Sequence, residues 1–427
     1  MRNATYAIML LGLLNILRMA VYLVSSNVYD VRRSWRAGKS RAKRAYLPTV
    51  TLLIPAHNEA AVIEKTLESV WASNYPKLKL TIVVVDDGST DVTKKIVRRF
   101  IRCHPDGFAI RLVTQPNSGK AIALNNAINK HVSSRLVMCL DADSLLDRHA
   151  IRNAAQYFHD RKVVALASNV NIIEDKTILG LVQRFEYLIS YQMKKAHTVL
   201  NTEYIIGGVG SMFRANMLER VQYYDSNTMT EDIDLTMKII STGNRRNRVV
   251  YGSDCLAYTE AVPSFKSLVR QRYRWKYGRM QTFLKNRHLF FNADKRYAKQ
   301  LTFFTLPLAI LQEFNLLLEP LLVGLILYLS IRDQDPRSLL FALVIVTVYV
   351  SLNIWTSEHL SIRQRLRLSL FAAPMYFLLY VLAIVEYAAL VKSVGGLSRL
   401  KHSIAAGHVT WKSPERSAAA SLQEVSQ

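Results

Sequence analysis

Five apolar residues, Leu136-Val137-Met138-Cys139-Leu140, run straight into Asp141-Ala142-Asp143-Ser144. Such a run reads as a buried strand that delivers two carboxylates to its C-terminal end, the edge at which open α/β sheets bind ligands. Two carboxylates there are unfavourable unless positive charge sits between them, and a hard divalent cation with oxygen ligands answers that need. A strand followed by an Asp-rich turn would look the same on this segment alone.

Similar polar clusters close other strand-like runs. Val50–Ile54 ends in Pro55-Ala56-His57-Asn58-Glu59, Leu80–Val85 in Asp86-Asp87-Gly88-Ser89-Thr90-Asp91, and Ile110–Val113 is followed by Asn117-Ser118-Gly119-Lys120. Helical spacing separates them, as in Val62, Ile63, Leu67 and Val70. Strands alternating with helices at this spacing predict an α/β fold: a mainly parallel sheet with helices on both faces. Turn chemistry accounts for one such cluster; four on one expected edge mark a site. His57 has no partner histidine nearby in sequence and is not read as a metal ligand.

Further along, Val163–Ala167 reads as another strand and Leu179–Thr198 as a helix. The Gly-rich stretch Ile205–Arg214 lacks a dinucleotide fingerprint, because Phe213 stands where the third glycine would fall. Its glycines instead let backbone pass close to a substrate. Thr230-Glu231-Asp232 opens the helical run Leu235–Ile240, and a capped helix start explains those residues equally well in isolation.

The chain has 427 residues and a net charge of +24, from 56 basic and 32 acidic side chains. Seven basic and no acidic residues lie between Arg32 and Arg44, just after the apolar segment Tyr6–Val24. Eleven basic residues against one Asp lie between Lys266 and Lys299, just before a long apolar region. Basic runs beside hydrophobic segments follow the positive-inside rule, so the charge points to membrane lipids as partners and not to nucleic acid. Cys103, Cys139 and Cys255 show no metal-ligand spacing and no disulfide framework.

Tyr6–Val24, interrupted by Asn15 and Arg18, is about long enough to span a bilayer and reads as an uncleaved anchor or an interfacial helix. Leu301–Ile331, Leu339–Trp355 and Leu368–Val391 read as later spans, with Arg363, Arg365 and Arg367 in a cytoplasmic loop. Three spans put the basic tail outside; a double crossing of Leu301–Ile331 returns it inside but turns the arginine loop outward. Glu313 and Glu319 either line a path through these spans or pair with basic residues at a membrane edge. The expected organisation is an anchor with a basic segment over 1–47, a catalytic domain over 48–287, a transmembrane region over 288–393, and a basic, partly disordered tail over 394–427.

Taken in order, Asp86-Asp87, Asp141-Ala142-Asp143, Thr230-Glu231-Asp232 and Gln271-Arg272-Tyr273-Arg274-Trp275 closely resemble the D, DxD, TED and Q(Q/R)xRW pattern of membrane-embedded family 2 glycosyltransferases. That family includes cellulose, chitin, hyaluronan and poly-N-acetylglucosamine synthases, and the resemblance covers about Pro48 to Gln281. It implies a GT-A fold with transmembrane helices at both ends, a cytoplasmic catalytic domain in the plasma membrane, and inverting transfer from a UDP-sugar. In that light Asp86 and Asp87 hold the nucleoside, and Asp141 and Asp143 meet the diphosphate and its Mg2+ or Mn2+. Lys120 lies near the donor, as do Gln271, Arg272 and Arg274. Asp232 is the general base, with Glu231 and Trp275 on the acceptor side.

The acceptor implied is a growing β-linked polysaccharide, built from UDP-N-acetylglucosamine and moved across the membrane, with an accessory membrane subunit as a further partner. Two alternatives stand beside it: a non-processive enzyme adding one sugar to a membrane lipid, and a catalytically silent membrane scaffold. Every matched acidic position is intact, which argues against the scaffold.

Overall fold

The structure is a computed structural model in which residues 2–40, 46–173 and 177–395 are described. A long helix, α1 (Arg2–Ser40), precedes the sheet domain. There follow β1 (Val50–Ala56), α2 (Ile63–Trp71), β2 (Leu80–Asp87), α3 (Thr93–Cys103), β3 (Ala109–Gln115), α4 (Lys120–His131) and β4 (Leu136–Cys139). The chain continues through β5 (Ser144–Leu146), α5 (Ala150–Tyr157), β6 (Val163–Ile172), α6 (Ile178–Leu200), β7 (Ser211–Arg214), α7 (Ala215–Arg220), α8 (Glu231–Ser241) and β8 (Arg248–Thr259). It closes with α9 (Phe265–Lys285), α10 (Leu306–Arg332), α11 (Arg337–Trp355), α12 (Ile362–Leu370) and α13 (Met375–Gly395).

The eight strands form one sheet in the order β3-β2-β1-β4-β7-β6-β8-β5. The first four are parallel: Val50 pairs with Leu80 on one side and Leu136 on the other, and Thr81 pairs with Ala109. The apolar runs of β1, β2 and β4 are buried on both faces, as parallel strands covered by helices require, whereas β3 at the sheet edge is partly exposed. Side chains alternate between two cores. Leu53, Val83, Val85, Val137 and Cys139 point to a core shared with α4, α7 and α8. Leu52, Ile54, Ile82, Val84 and Met138 point to the other, shared with α2, α3 and α5.

The expected mainly parallel sheet is corrected in its second half, which makes the whole sheet mixed. β7 runs antiparallel to both β4 and β6, and β5 antiparallel to β8. β7 has four residues and β5 three, too few to carry a period that sequence could reveal. β8 is paired parallel to β6, but its ladder jumps from Gly252 opposite Ser168 to Leu256 opposite Asn169, so the intervening residues bulge out.

The membrane-side helices pack on a third apolar cluster, in which Val182 and Phe185 of α6 and Leu268 of α9 meet Val350, Leu368, Met375 and Leu382. Among the described residues, one helix is long and apolar enough to cross a membrane, Phe377–Gly395 within α13; Leu339–Trp355 is apolar but shorter. The expectation of spans at both ends is reduced to that. Part of the apolar run from Leu301 is core material: Leu301, Leu306 and Ala309 bury against Phe283, Leu289 and Tyr297 of the sheet domain. Its start is a wide helical turn over Gln300–Thr305. Length and hydropathy do not separate a buried helix from a span, which is why the two were merged. The Glu319 side chain, and the tail from Gly396 on, lie outside the described residues.

Candidate active site

The parallel strands β1, β2 and β4 end side by side, and the loops beyond them are tied to one another. Asn58, after β1, adopts a left-handed backbone with φ of 58°, a conformation asparagine tolerates better than most residues. Its Oδ1 accepts from the Thr90 N–H at 2.8 Å, and its own N–H donates to Ser89 Oγ at 3.0 Å. His57 Nδ1 lies 2.8 Å from the Asp87 carbonyl and Nε2 lies 3.1 Å from the Asn117 amide nitrogen, so this histidine pins loops.

Asp86 and Asp87 are buried. The Asp87 carboxylate accepts from Gln115 Nε2 at 2.7 Å and from the backbone N–H groups of Ser118 and Gly119 at 3.0 and 2.8 Å. It thereby folds the loop that leads to Lys120. Asp86 Oδ1 accepts from the Ser89 N–H at 3.3 Å. Between these strands and the β3–α4 loop, Gly88 is forced: its φ is +72° and a Cβ there would lie 2.6 Å from the Asn117 nitrogen.

Asp141-Ala142-Asp143-Ser144 is both a turn and a site. The Ser144 N–H donates to the Asp141 carbonyl at 3.1 Å, which closes the turn from β4 into β5, and Thr66 Oγ1 donates to the Ala142 carbonyl at 2.8 Å. The two carboxylates are thus set on either side of a fixed alanine, both half-buried. Asp143 Oδ1 accepts from Ser144 Oγ at 3.1 Å.

Lys120, the first residue of α4, joins this turn to α8. Its Nζ lies 2.7 Å from Asp141 Oδ1 and 3.3 Å from Glu231 Oε1. Burial works against the ammonium, but the charges of Asp141, Glu231 and Asp232 outweigh it and raise its pKa. Gly208, in the Gly-rich stretch read as letting backbone approach a substrate, makes room for this pair: a Cβ there would stand 2.8 Å from Lys120 Nζ and 3.3 Å from Asp141 Oδ1.

Asp232 lies in the first turn of α8 and accepts from the Ile233 N–H at 2.8 Å. Burial and then the neighbouring Glu231 charge push its carboxyl up to about 6, against the pull of Lys120, the Ile233 N–H and Arg274. A carboxylate tuned this close to neutrality suits a general base. Thr230 precedes α8 but its side chain makes no capping bond; it packs against Gly278 of α9, where a Cβ would lie 2.6 Å from Thr230 Oγ1.

Gln271, Arg272, Arg274 and Trp275 sit on α9. Arg272 is buried, donates to Glu186 Oε2 at 2.6 Å, and lies over the Trp275 ring with its guanidinium carbon 4.3 Å from the centroid. One face of the indole is therefore covered by Arg272. Gln271, Arg274 and Trp275 are half-buried. Glu186, on α6, escaped sequence analysis because nothing local marks it as the partner of a residue so far along the chain.

Among the described residues, no group of three or more His, Cys, Asp or Glu side chains is gathered to hold a metal ion. Mg2+ asks for less, since it binds through one or two carboxylates together with substrate phosphates. Asp141 and Asp143 meet that requirement, and Asp141 already holds a cation in the Lys120 ammonium.

The chain is similar to known proteins in sequence and in fold. Residues 48–278 match the model of the family described as "Glycosyltransferase like family 2". The chain is 31% identical over 310 residues to a poly-beta-1,6-N-acetyl-D-glucosamine synthase of Staphylococcus aureus (strain COL), covering 70% of this chain and 72% of that protein. It is 30% identical over 239 residues to the synthase of the same name from Staphylococcus epidermidis, covering 56% of each. Among solved structures, a mannosyltransferase from Pyrobaculum calidifontis in complex with GDP-Man and Mn2+ superposes with a TM-score of 0.52 at 23% identity, over 88% of this chain and 98% of that one. That likeness bears on the fold alone. The chain belongs to the family 2 glycosyltransferases and is an inverting enzyme of GT-A type.

Proposed function

We propose that this enzyme transfers N-acetylglucosamine from UDP-N-acetylglucosamine to a growing β-linked polysaccharide at the cytoplasmic face of the plasma membrane. The observation that carries the reading is the bridge from Asp141 through Lys120 to Glu231, which gathers the DxD turn, the TED helix and Asp232 on one sheet edge. The relatives named as poly-beta-1,6-N-acetyl-D-glucosamine synthases support the donor and the product class. We assign residues 48–287 to catalysis, 1–47 to an anchor, and 288–393 to the membrane region, with α13 crossing it.

Asp86 and Asp87 shape the nucleoside pocket, Asp87 by holding the Ser118–Gly119 backbone. Lys120 and Arg274 face the diphosphate, with Gln271 beside them. Asp141 and Asp143 would hold Mg2+ or Mn2+, which when bound offsets the charge that develops on the leaving diphosphate. Asp232 takes the proton of the acceptor hydroxyl as its oxygen attacks the anomeric carbon from the face opposite the departing UDP. Glu231 and Trp275 border the acceptor. Arg272 stands beside the donor with one end of its guanidinium on Glu186, and it sets the Trp275 ring.

The full chain in lipid vesicles, given a panel of UDP-sugars with Mg2+, tests this. The reading predicts UDP release chiefly from UDP-N-acetylglucosamine and a product of many sugars. Label confined to a single sugar on a lipid would replace polymerisation by lipid glycosylation, and no release from any UDP-sugar would overturn the assignment. Chelation is expected to abolish turnover, and added Mg2+ or Mn2+ to restore it.

A further inference from the structure

Helix α9 is gripped from two sides. Arg272, Lys276 and Arg279 follow one another at i, i+4 and i+7 and so share a face. Each meets an acid from outside α9, and Lys276 and Arg279 share one of them. Arg272 pairs with Glu186 of α6 at 2.6 Å. Lys276 Nζ lies 2.7 Å from Glu313 Oε2 of α10 and 2.9 Å from Glu386 Oε2 of α13. Arg279 Nη1 lies 2.9 Å from Glu313 Oε1. Lys276 is only 8% exposed and its pairing with Glu313 is largely removed from water, while Arg279 and Glu386 are half-buried.

The other grip is on the catalytic loop. A Cβ at Gly278 would lie 2.6 Å from Thr230 Oγ1 and 3.0 Å from the Thr230 nitrogen. Gln281, fully buried, accepts from the Met229 N–H at 2.9 Å. Met229 and Thr230 lead directly into Glu231 and Asp232. Beyond them, Lys285 Nζ reaches Asp234 Oδ2 at 2.7 Å. The same three turns of helix therefore hold the acids of the membrane-side helices and the backbone that carries the general base.

The geometry points to Glu313 and Glu386 as positioning residues for sugar transfer. Through Lys276 and Arg279 they set the position of α9, and α9 sets Asp232 through Gly278 and Gln281. Both acids lie beyond residue 278, where the match to the family ends. A buried ion pair adds little net stability, because desolvation cancels most of the attraction; what it does well is exclude other arrangements of the helices. The sequence left Glu313 either lining a path or pairing with basic residues, and both of its oxygens are taken by cations. This inference rests on Asp232 being the base.

The test uses the full chain in vesicles, with UDP release from UDP-N-acetylglucosamine and UDP binding to count folded molecules. Glu313→Gln and Glu386→Gln are expected to lower kcat per binding site at least tenfold with donor KM within twofold. Lys276→Met should behave like Glu313→Gln, and Lys276→Arg should recover activity to within threefold of the starting enzyme. Gly278→Ala acts from the catalytic side without touching the ion pairs. Its loss of kcat should be less than additive with that of Glu313→Gln, since both work through one helix. Normal kcat per binding site in the two acid variants, or full additivity with Gly278→Ala, overturns the inference. Asp232→Asn separates the two levels: normal turnover there removes the base assignment, whereas an inactive Asp232→Asn beside a normal Glu313→Gln removes only the positioning role.

Discussion

Lys120 and Asp141 form an ion pair of 2.7 Å across the mouths of α4 and β4, and the same ammonium reaches Glu231 at 3.3 Å. One cation thus offsets repulsion among acids brought together from two distant motifs. Glu231 raises the Asp232 carboxyl and Lys120 lowers it, so the same charges also tune that carboxyl.

Replacing Lys120 by Met removes a charge that holds Asp232 down. The acid limb of the kcat profile is expected to move to a pH above its starting position, and donor KM to rise at least tenfold. A pH–rate series on the variant and the parent enzyme reads both.

In the parent enzyme Asp232, the proposed base, must be ionised to accept a proton, and its carboxyl is pushed up to about 6. Turnover should therefore be level above that pH and fall tenfold per pH unit below it. The stability effect has the opposite sign. A carboxyl raised above its ordinary 3.8 binds its proton more tightly in the folded state, so the stability this contributes is present below pH 3.8 and is lost as pH rises through 6. Asp232→Asn should accordingly melt higher than the parent at pH 8 and show no such gain at pH 3.5, as thermal unfolding at both pH values will show.

Gly208→Ala puts a Cβ 2.8 Å from Lys120 Nζ. The displaced group is the far end of a flexible side chain, so unfolding temperature should shift by no more than about 1 °C, on the order of 1 kcal/mol for a chain of this size. Donor KM should rise several-fold, because Lys120 is pushed off Asp141. A steady-state titration with UDP-N-acetylglucosamine checks the second half.

Asp234 is fully buried and its partners are Lys285 Nζ at 2.7 Å and Asn286 Nδ2 at 3.3 Å. Lys285→Met strands that carboxylate and is expected to cost about 3 kcal/mol of stability. The double change Lys285→Met with Asp234→Leu, which removes both charges, should recover most of the loss. Denaturant unfolding of the two variants decides it.

The strands that build the site edge were readable because each is a run of β-branched and aliphatic residues buried on both faces, closed by acids. Asp86, Asp87, Asp141 and Asp143 could be picked out for that reason, and Asp232 only through the motif pattern, because it opens a helix. β7 and β5 could not, since three or four residues carry no period, and their antiparallel direction is set by pairing partners far away in the chain. The Arg272–Glu186 pair was hidden for the same reason. The partners of Gly208 and Gly278 are silent in sequence, because what matters at each is the atom a side chain would meet. The run from Leu301 misled because a helix against the sheet core and a helix in lipid present the same composition.

The central claim is that Asp232 takes the acceptor proton at an edge organised by Lys120 and Asp141. The most direct measurement is the turnover of Asp232→Asn in vesicles, with UDP binding measured on the same sample. UDP binding is expected to stay within threefold while turnover falls by a factor of about 10² to 10⁴, the usual contribution of a positioned general base. Turnover within a few-fold of the parent, with UDP binding intact, would contradict it.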